Sequence, residues 1–188
     1  MTRFVADGRI ATFARRQHDW MERVLKGSLD PEAVAKEVQK IIDAGQPLFT
    51  ISNYFSKRPN ISVEANFTRH ISALGMVPIR KAEDLKAPKV LKQKMSDNEI
   101  SQEFLGGNAK KNAVCPSQIS ELIQAQIDGS VGKLLNDGLS NIFYVLGIDE
   151  VLFAVLVRWS STLKHWDIRC FALDEELNWY AGDQVFSN

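Results

Sequence analysis

Strand-like spacing of apolar residues dominates the last quarter of the chain. The segments 141–146 and 151–159 are rich in β-branched and aromatic residues, and the four residues between them have the length of a hairpin turn. A last short strand is predicted at 184–186. In the segment 164–173 the side chains alternate between two faces, with Trp166, Ile168, Cys170 and Ala172 on one and His165, Asp167, Arg169 and Phe171 on the other. We therefore predict an antiparallel sheet with one face against helices and the other partly in solvent.

Helical spacing of apolar residues marks the N-terminal region. Gly27 is a typical helix-terminating residue, and the apolar stripe before it consists of Phe13, Trp20 and Val24. Asp30 followed by Pro31 predicts the start of a second helix. The Asp30 carboxylate can accept hydrogen bonds from the free backbone N–H groups of the first turn, and Pro31 has no N–H and suits the first helical position. This helix would end at Gly45, and its apolar positions are Val34, Val38, Ile41 and Ile42.

Three further helices are predicted in the middle of the chain. One covers 62–74, with Gly75 just beyond its end. Another begins at a capping box formed by Ser96 and Glu99, and a third opens at Cys115. The apolar run at 48–51 is compatible with a strand, but it is too short to be assigned to one.

The segment 76–93 contains two prolines and has no sustained apolar face, which predicts a linker. The expected organisation is a helical region at 1–75, the linker, and an α+β module at 94–188 that ends in the antiparallel sheet. The predicted fold class is α+β, with a helical N-terminal part followed by helices packed on a small antiparallel sheet. We expect a fragment that begins near residue 94 to fold alone.

Composition indicates an ordinary globular protein. The 188 residues are 45% hydrophobic and 24% charged, and no run of apolar residues approaches the ~18 of a membrane span. The first residues lack the layout of a secretory signal, and two cysteines are too few for a disulfide scaffold. We therefore expect a reducing, cytoplasmic location without membrane association.

The net charge of zero conceals an uneven distribution. Residues 1–112 contain 19 Lys and Arg against 13 Asp and Glu, whereas residues 113–188 contain 4 against 10. A basic half is typical of some nucleic-acid-binding proteins, although ordinary solvated faces would give the same totals. The candidate contacts to a nucleic acid are Arg15, Arg16, Lys57, Arg58, Lys86, Lys89, Lys92 and Lys94.

Patterns for metal, cofactor or catalytic sites are weak. The segment 129–134 has the wrong spacing for a phosphate-binding loop, and the acidic run 174–176 is typical of a solvated turn. The three histidines fall on three separate predicted elements, so we expect no metal and no cofactor. Ser160, Ser161, His165 and Asp167 cluster in eight residues, but residues two apart on a strand project in parallel and do not form a catalytic relay.

Three sequence blocks stand out from residue 94 onward. They are Lys-Met-Ser-Asp-Asn-Glu-Ile at 94–100, Asn-Ile-Phe-Tyr-Val at 141–145 and Trp-Tyr-Ala-Gly-Asp-Gln-Val-Phe-Ser at 179–187, joined by Gly129, Gly132, Leu134, Leu135 and Gly138. With these blocks the chain resembles a group of short uncharacterised bacterial proteins. The resemblance implies a C-terminal module that starts near residue 94, and it brings no activity, ligand or catalytic residue.

Two functions follow as expectations. The first is a non-enzymatic accessory protein that acts through contacts with a protein partner or with a second copy of itself. The second is a nucleic-acid-binding protein that uses the basic N-terminal half. A hydrolase based on Ser160 and His165 is a third and weaker hypothesis, so whether the protein is an enzyme stays open, with the balance against it.

Overall fold

The computed structural model describes residues 23, 25–28, 30–33, 35–36, 48–56, 58–173 and 177–188. The chain divides into two compact units, Met1–Gln46 and Pro47–Asn188. In the first unit, Gly27 has a φ of 69°, and Ser28 donates its backbone N–H to the carbonyl of Arg23 at 2.9 Å, which confirms a helix end there. Asp30 accepts a hydrogen bond from the backbone of Glu32 at 3.1 Å, confirming the predicted cap.

The remaining predictions for this unit concern positions outside the described residues. They are Phe13, Trp20, Val24, Val34, Val38, Ile41, Ile42 and Gly45.

The second unit is built on a six-stranded sheet. Its strands are β2 (Ile61–Val63), β4 (Lys89–Val90), β6 (Asn141–Leu146), β7 (Leu152–Ser160), β8 (His165–Ala172) and β10 (Gln184–Phe186). Their order in the sheet is β2-β8-β7-β6-β10-β4. Strand β2 runs parallel to β8 and β10 runs parallel to β6, whereas the other neighbours are antiparallel.

Two small antiparallel sheets and several helices complete the described part of this unit. The small sheets pair β1 (Leu48–Thr50) with β3 (Met76–Pro78), and β5 (Met95–Ser96) with β9 (Asn178–Trp179). The α-helices are α1 (Ile51–Tyr54), α2 (Ala65–His70), α3 (Asp97–Phe104) and α4 (Pro116–Ala125). Single 3-10 turns occur at Ser72–Leu74, Ala82–Asp84 and Ile148–Glu150.

The larger core lies on the first face of the sheet, between the strands and helices α1, α2 and α4. Its largest member, Trp166, is completely buried and donates its indole N–H to the backbone carbonyl of Gln126 at 2.7 Å. This bond satisfies the one polar atom of a side chain that would otherwise lose a hydrogen bond on burial. Other buried members are Ile51, Phe67, Ile71, Ile119, Ile123, Phe143, Val155, Ile168 and Phe186.

Helix α3 and strand β9 cover only part of the second face. Buried beneath them is a smaller core whose members include Leu91, Met95, Ile100, Ile142, Tyr144, Ala154, Trp179 and Val185. Along β7 and β8 the same face carries the half-buried Leu156 and Phe171 beside the exposed Arg158 and Arg169. The alternation predicted for β8 is therefore confirmed, with one face buried and the other partly in solvent.

The predicted arrangement of the fold is wrong in two respects, although the α+β class with antiparallel strands is confirmed. The sheet is six-stranded and mixed, not small and antiparallel, because β2 and β10 join it in parallel. The N-terminal part is also not wholly helical: the helix predicted at 62–74 is replaced by β2, the short helix α2 and a 3-10 turn. Strands of two or three residues are too short for an alternating pattern to reveal them.

The segment predicted as a linker contributes to the second unit. It contains β3 and β4, and Ala82 and Leu91 within it are 5% and 1% exposed. The predicted divisions after residues 75 and 93 thus run through the unit that extends from Pro47 to Asn188. Strand β5 and helix α3, which begin the predicted module, lie on the six-stranded sheet, whose outer strands β2 and β4 come from earlier in the chain.

Candidate functional site

Two basic segments of the chain contain lysines and no acidic residues. Residues 86–94 hold four lysines, and residues 105–113 hold two more. The two segments form what we call the lysine surface, defined as Lys86, Lys89, Lys92, Lys94, Lys110 and Lys111. Neither Lys110 nor Lys111 was among the residues predicted to contact a partner.

A side-chain contact joins the two segments. Lys86 donates its Nζ hydrogen to Asn112 Oδ1 at 3.1 Å, and also to the backbone oxygen of Asn188. Asn112 in turn donates to the carbonyl of Leu105 at 3.0 Å, while Lys111 is held by a backbone bond to Asn108 Oδ1 at 3.0 Å. Lys86 therefore ties the strand segment to the turn that carries Lys110 and Lys111.

Strand β4 is an outer strand of the sheet and places Lys89 on the second face. The ammonium group lies 5.1 Å from the centre of the Phe104 ring, within the range of a cation–π contact. The buried Leu91 anchors the following residues, since it donates its backbone N–H to Asp183 at 2.8 Å. Lys92 and Lys94 beyond it are exposed.

A tyrosine lies in the turn next to these lysines. Gly182 donates its backbone N–H to the carbonyl of Leu91 at 2.9 Å, which fixes the turn 180–183 against the lysine segment. Tyr180 donates its backbone N–H to Asp183 Oδ2 at 2.9 Å, yet its residue surface is 65% exposed. The turn thus presents an aromatic ring to solvent on a backbone that is held at several points.

Acidic residues lie close along the chain on both sides of residues 86–94. Glu83 and Asp84 precede Lys86, and Asp97, Glu99 and Glu103 lie on α3, which follows Lys94 directly. Glu99 accepts hydrogen bonds from the backbone N–H and the hydroxyl of Ser96 at 2.7 and 2.8 Å, so the predicted capping box is confirmed. These bonds lower the pKa of the Glu99 carboxyl. Glu103 is exposed on the same helix. The six lysines of the lysine surface therefore have five carboxyl groups near them in sequence, of which Asp97 is buried.

A buried carboxyl group joins three elements behind this surface. Asp97, at the start of α3, accepts hydrogen bonds at the same oxygen from the Tyr144 hydroxyl at 2.6 Å and from the Trp179 indole N–H at 2.8 Å. Its second oxygen is buried and has no partner among the described residues. Burial raises the pKa of Asp97 above its ordinary value, while the two hydrogen bonds oppose that shift. With the residue only 7% exposed, this group holds β9 and α3 on the sheet.

The raised pKa of Asp97 gives a prediction about stability and pH. A folded-state pKa above the unfolded value means that the ionised group destabilises the fold, so its cost is present at neutral pH and disappears as the pH falls through the folded pKa. Asp97→Asn keeps the acceptor for Tyr144 and Trp179 and cannot ionise. We expect the unfolding free energy of the variant, minus that of the native protein, to fall as the pH is lowered from about 7 to about 4.5.

Chemical denaturation at a series of pH values measures this difference. The contributions of the other carboxyl groups cancel in it, because both proteins contain those groups. Asp97→Ala provides the comparison without an acceptor, and we expect it to be destabilised by roughly 2–4 kcal/mol since two buried donors lose their partner. A difference between native protein and Asp97→Asn that is constant with pH would contradict the raised pKa.

The other predicted contact residues do not join the lysine surface. Arg15, Arg16 and Lys57 lie outside the described residues. Arg58 donates to the backbone carbonyl of Asn53 at 2.5 Å and precedes β2, the strand at the opposite edge of the sheet from β4. Lys86, Lys89, Lys92 and Lys94 lie on the segment that contains β4, and Arg58 lies beside the strand at the opposite edge of the sheet.

Ser160, His165 and Asp167, the residues of the weak catalytic hypothesis, do not form a catalytic relay in the structure. Ser160 accepts a backbone hydrogen bond from Leu163 at 3.2 Å in the turn after β7. Asp167 accepts from Arg169 Nε at 2.8 Å and is paired in register with Arg158, so its carboxylate faces guanidinium groups. His165 lies opposite Ser160 in the β7–β8 register, two residues from Asp167 on the same face. This arrangement provides no acid behind the imidazole.

Comparisons with family models, with curated proteins and with solved structures found no match to this chain. Within the described part of the chain, no helix has the length and apolarity needed to cross a membrane. The described residues also contain no group of three His, Cys, Asp or Glu side chains able to hold a metal ion.

Proposed function

We propose that the protein is a non-enzymatic binding protein that recognises a nucleic acid through the lysine surface. Six lysines lie on two segments without acidic residues, and the contact between Lys86 and Asn112 joins these segments beside the outer strand β4; this observation carries the proposal. Ammonium groups that neutralise phosphates release condensed counterions, which supplies most of the affinity for a nucleic acid whatever its sequence. The cytoplasmic location expected from the sequence is compatible with such a partner.

Protection of an exposed sheet edge is the simplest competing explanation. Lysines on outer strands hinder pairing with other chains, and this would account for Lys89 in β4. It does not account for Lys110 and Lys111, which lie in a turn, nor for the exposed Tyr180 beside Lys92 and Lys94. A binding surface accounts for all of these residues together.

Removing two lysine charges from the surface tests the proposal. We expect Lys92→Gln with Lys94→Gln to weaken binding of a fluorescently labelled oligonucleotide roughly tenfold near 0.1 M salt. The slope of log affinity against log salt should fall by about 1.4 for a single strand. Fluorescence anisotropy titrations at several salt concentrations measure both quantities.

The matched control removes two exposed lysines elsewhere, Lys133→Gln with Lys164→Gln, so that the net charge changes equally. We expect this control to bind as the native protein does. An equal loss in both double variants would mean that only overall charge matters, and the absence of binding by the native protein would reject the proposed function.

Contact with a protein partner is the second candidate function. The uncovered part of the second sheet face combines Leu156 and Phe171 with Arg158, Arg169 and Asp167. This patch contains both positive and negative side chains. It is therefore best suited to a second copy of the chain, because the arginines of one patch could pair with the aspartate of the other. Arginine is also enriched at protein interfaces.

A further inference from the structure

We infer that Tyr180 is a stacking platform for a nucleobase, and hence that the lysine surface takes single-stranded nucleic acid. This inference rests on the proposed function and goes beyond it, because phosphate contacts alone do not distinguish a single strand from a duplex. In a duplex the bases are already stacked on one another, whereas an unpaired base offers its face to an aromatic side chain.

The neighbouring residue directs the tyrosine ring outward. Trp179 is 4% exposed and donates its indole N–H to Asp97, so its side chain points into the smaller core. Successive residues of an extended strand point to opposite sides, which sends Tyr180 to solvent. Tyr180 also accepts a backbone hydrogen bond from Asp183 at 3.1 Å across the turn. The ring is therefore carried on a backbone that is ordered before any ligand arrives.

Two lysines lie on the segment that faces the turn. Met95 pairs with Trp179 in the β5–β9 sheet, and one further step along this antiparallel register places the backbone of Lys94 opposite Tyr180. The backbone bond from Gly182 to Leu91 brings the same turn next to Lys92. An exposed aromatic residue with two exposed lysines on the neighbouring segment suits a nucleotide whose base stacks while its adjacent phosphates are neutralised.

Among the described residues, no aromatic ring stacks on Tyr180 and no lysine lies over its ring in a cation–π contact. Tyr180 takes part in none of the ring–ring pairs, whereas Tyr54, another exposed tyrosine, stacks on Phe49 with 4.3 Å between ring centres. A tyrosine side chain has only two rotatable torsions, so little conformational freedom is lost when a base covers the 65% exposed residue. The tyrosine ring can thus stack on a nucleobase, and the lysines can neutralise the phosphates of the nucleic-acid backbone.

The experiment compares Tyr180→Ala and Tyr180→Phe on two probes, an oligonucleotide of thymidines and a duplex hairpin of similar charge. We expect Tyr180→Ala to lose roughly five- to hundredfold in affinity for the thymidine probe. We expect its salt slope and its affinity for the hairpin to stay unchanged. Tyr180→Phe retains a ring and should bind the thymidine probe nearly as tightly as the native protein.

The outcomes distinguish a failure of the stacking role of Tyr180 from a failure of the proposed nucleic-acid binding. If Tyr180→Ala binds the thymidine probe like the native protein while Lys92→Gln with Lys94→Gln binds weakly, the stacking role is overturned and the proposed function stands. If the native protein binds neither probe, both fail. Equal affinity for an acidic polyglutamate peptide, unaffected by Tyr180→Ala, would also overturn the inference, because the surface would then recognise negative charge alone.

Discussion

A fragment consisting of residues 94–188 is expected to stay unfolded. It lacks β2, which pairs in parallel with β8, and β4, which pairs with β10 at the other edge. It also lacks apolar side chains that fill the larger core, among them Phe49, Ile51, Phe55, Ile61, Phe67 and Ile71, each no more than 5% exposed. Losing several buried side chains at about 2–5 kcal/mol each exceeds the stability of a typical domain. This expectation reverses the one drawn from the sequence.

The matched comparison is a fragment of residues 47–188, which keeps the whole second unit. Amide proton–nitrogen correlation spectra of the two fragments measure the outcome. We expect dispersed signals from residues 47–188 and collapsed signals near random-coil positions from residues 94–188. Dispersed signals from the shorter fragment would show that the strands from 48–93 are dispensable, and would contradict the packing described above.

Replacing Gly129 by alanine is expected to destabilise the protein by about 3 kcal/mol or more. Gly129 has a φ of 75°, a conformation that is unfavourable for residues with a Cβ atom. An added Cβ would lie 2.1 Å from an atom of the Trp159 indole, a buried ring that packs against Trp166 with 5.3 Å between ring centres. The new methyl group must therefore displace a tryptophan at the centre of the larger core.

Gly138→Ala separates the steric clash from the backbone cost. Gly138 also has a positive φ, 93°, but a Cβ built there has no atom within 4 Å. We expect it to cost only about 1–2 kcal/mol, the price of the left-handed conformation alone. Urea denaturation followed by tryptophan fluorescence measures both variants. Equal destabilisation would show that Trp159 can move aside without loss.

Local signals predicted the structure well where each element carries its own pattern. Ser96 and Glu99 form the capping box in which each side chain meets the other's backbone N–H, and α4 begins directly after Cys115. The long strands β6, β7 and β8 follow their β-branched and alternating residues. These features depend on residues that are close in sequence, so a pattern within about ten residues is sufficient to reveal them.

Features that depend on distant pairing could not be predicted in the same way. Strand β10 was expected, but nothing in its three residues indicates that it lies between β6 and β4 or runs parallel to β6. Strand β2 is equally short, and the apolar residues of 62–74 repeat at a spacing that also suits a helix. In both cases the sheet supplies the hydrogen-bond partners, and tertiary context overrides local preference.

The candidate site was predictable in part for the same reason. The series Lys86, Lys89, Lys92 and Lys94 is visible in the sequence because the residues are close together. Lys111 joins it only through the contact between Lys86 and Asn112, which are 26 residues apart. Tyr180 becomes relevant only once the turn after β9 is seen against Leu91.

An amide chemical-shift titration of the nitrogen-15-labelled protein with a short thymidine oligonucleotide tests the proposed function most directly. We expect the largest changes at residues 89–94, 110–111 and 180–182, in fast or intermediate exchange and weakened by added salt. Changes confined to Leu156, Arg158 and Arg169 that grow with protein concentration alone would favour self-association instead. A spectrum unmoved by the oligonucleotide would contradict nucleic-acid binding by the lysine surface.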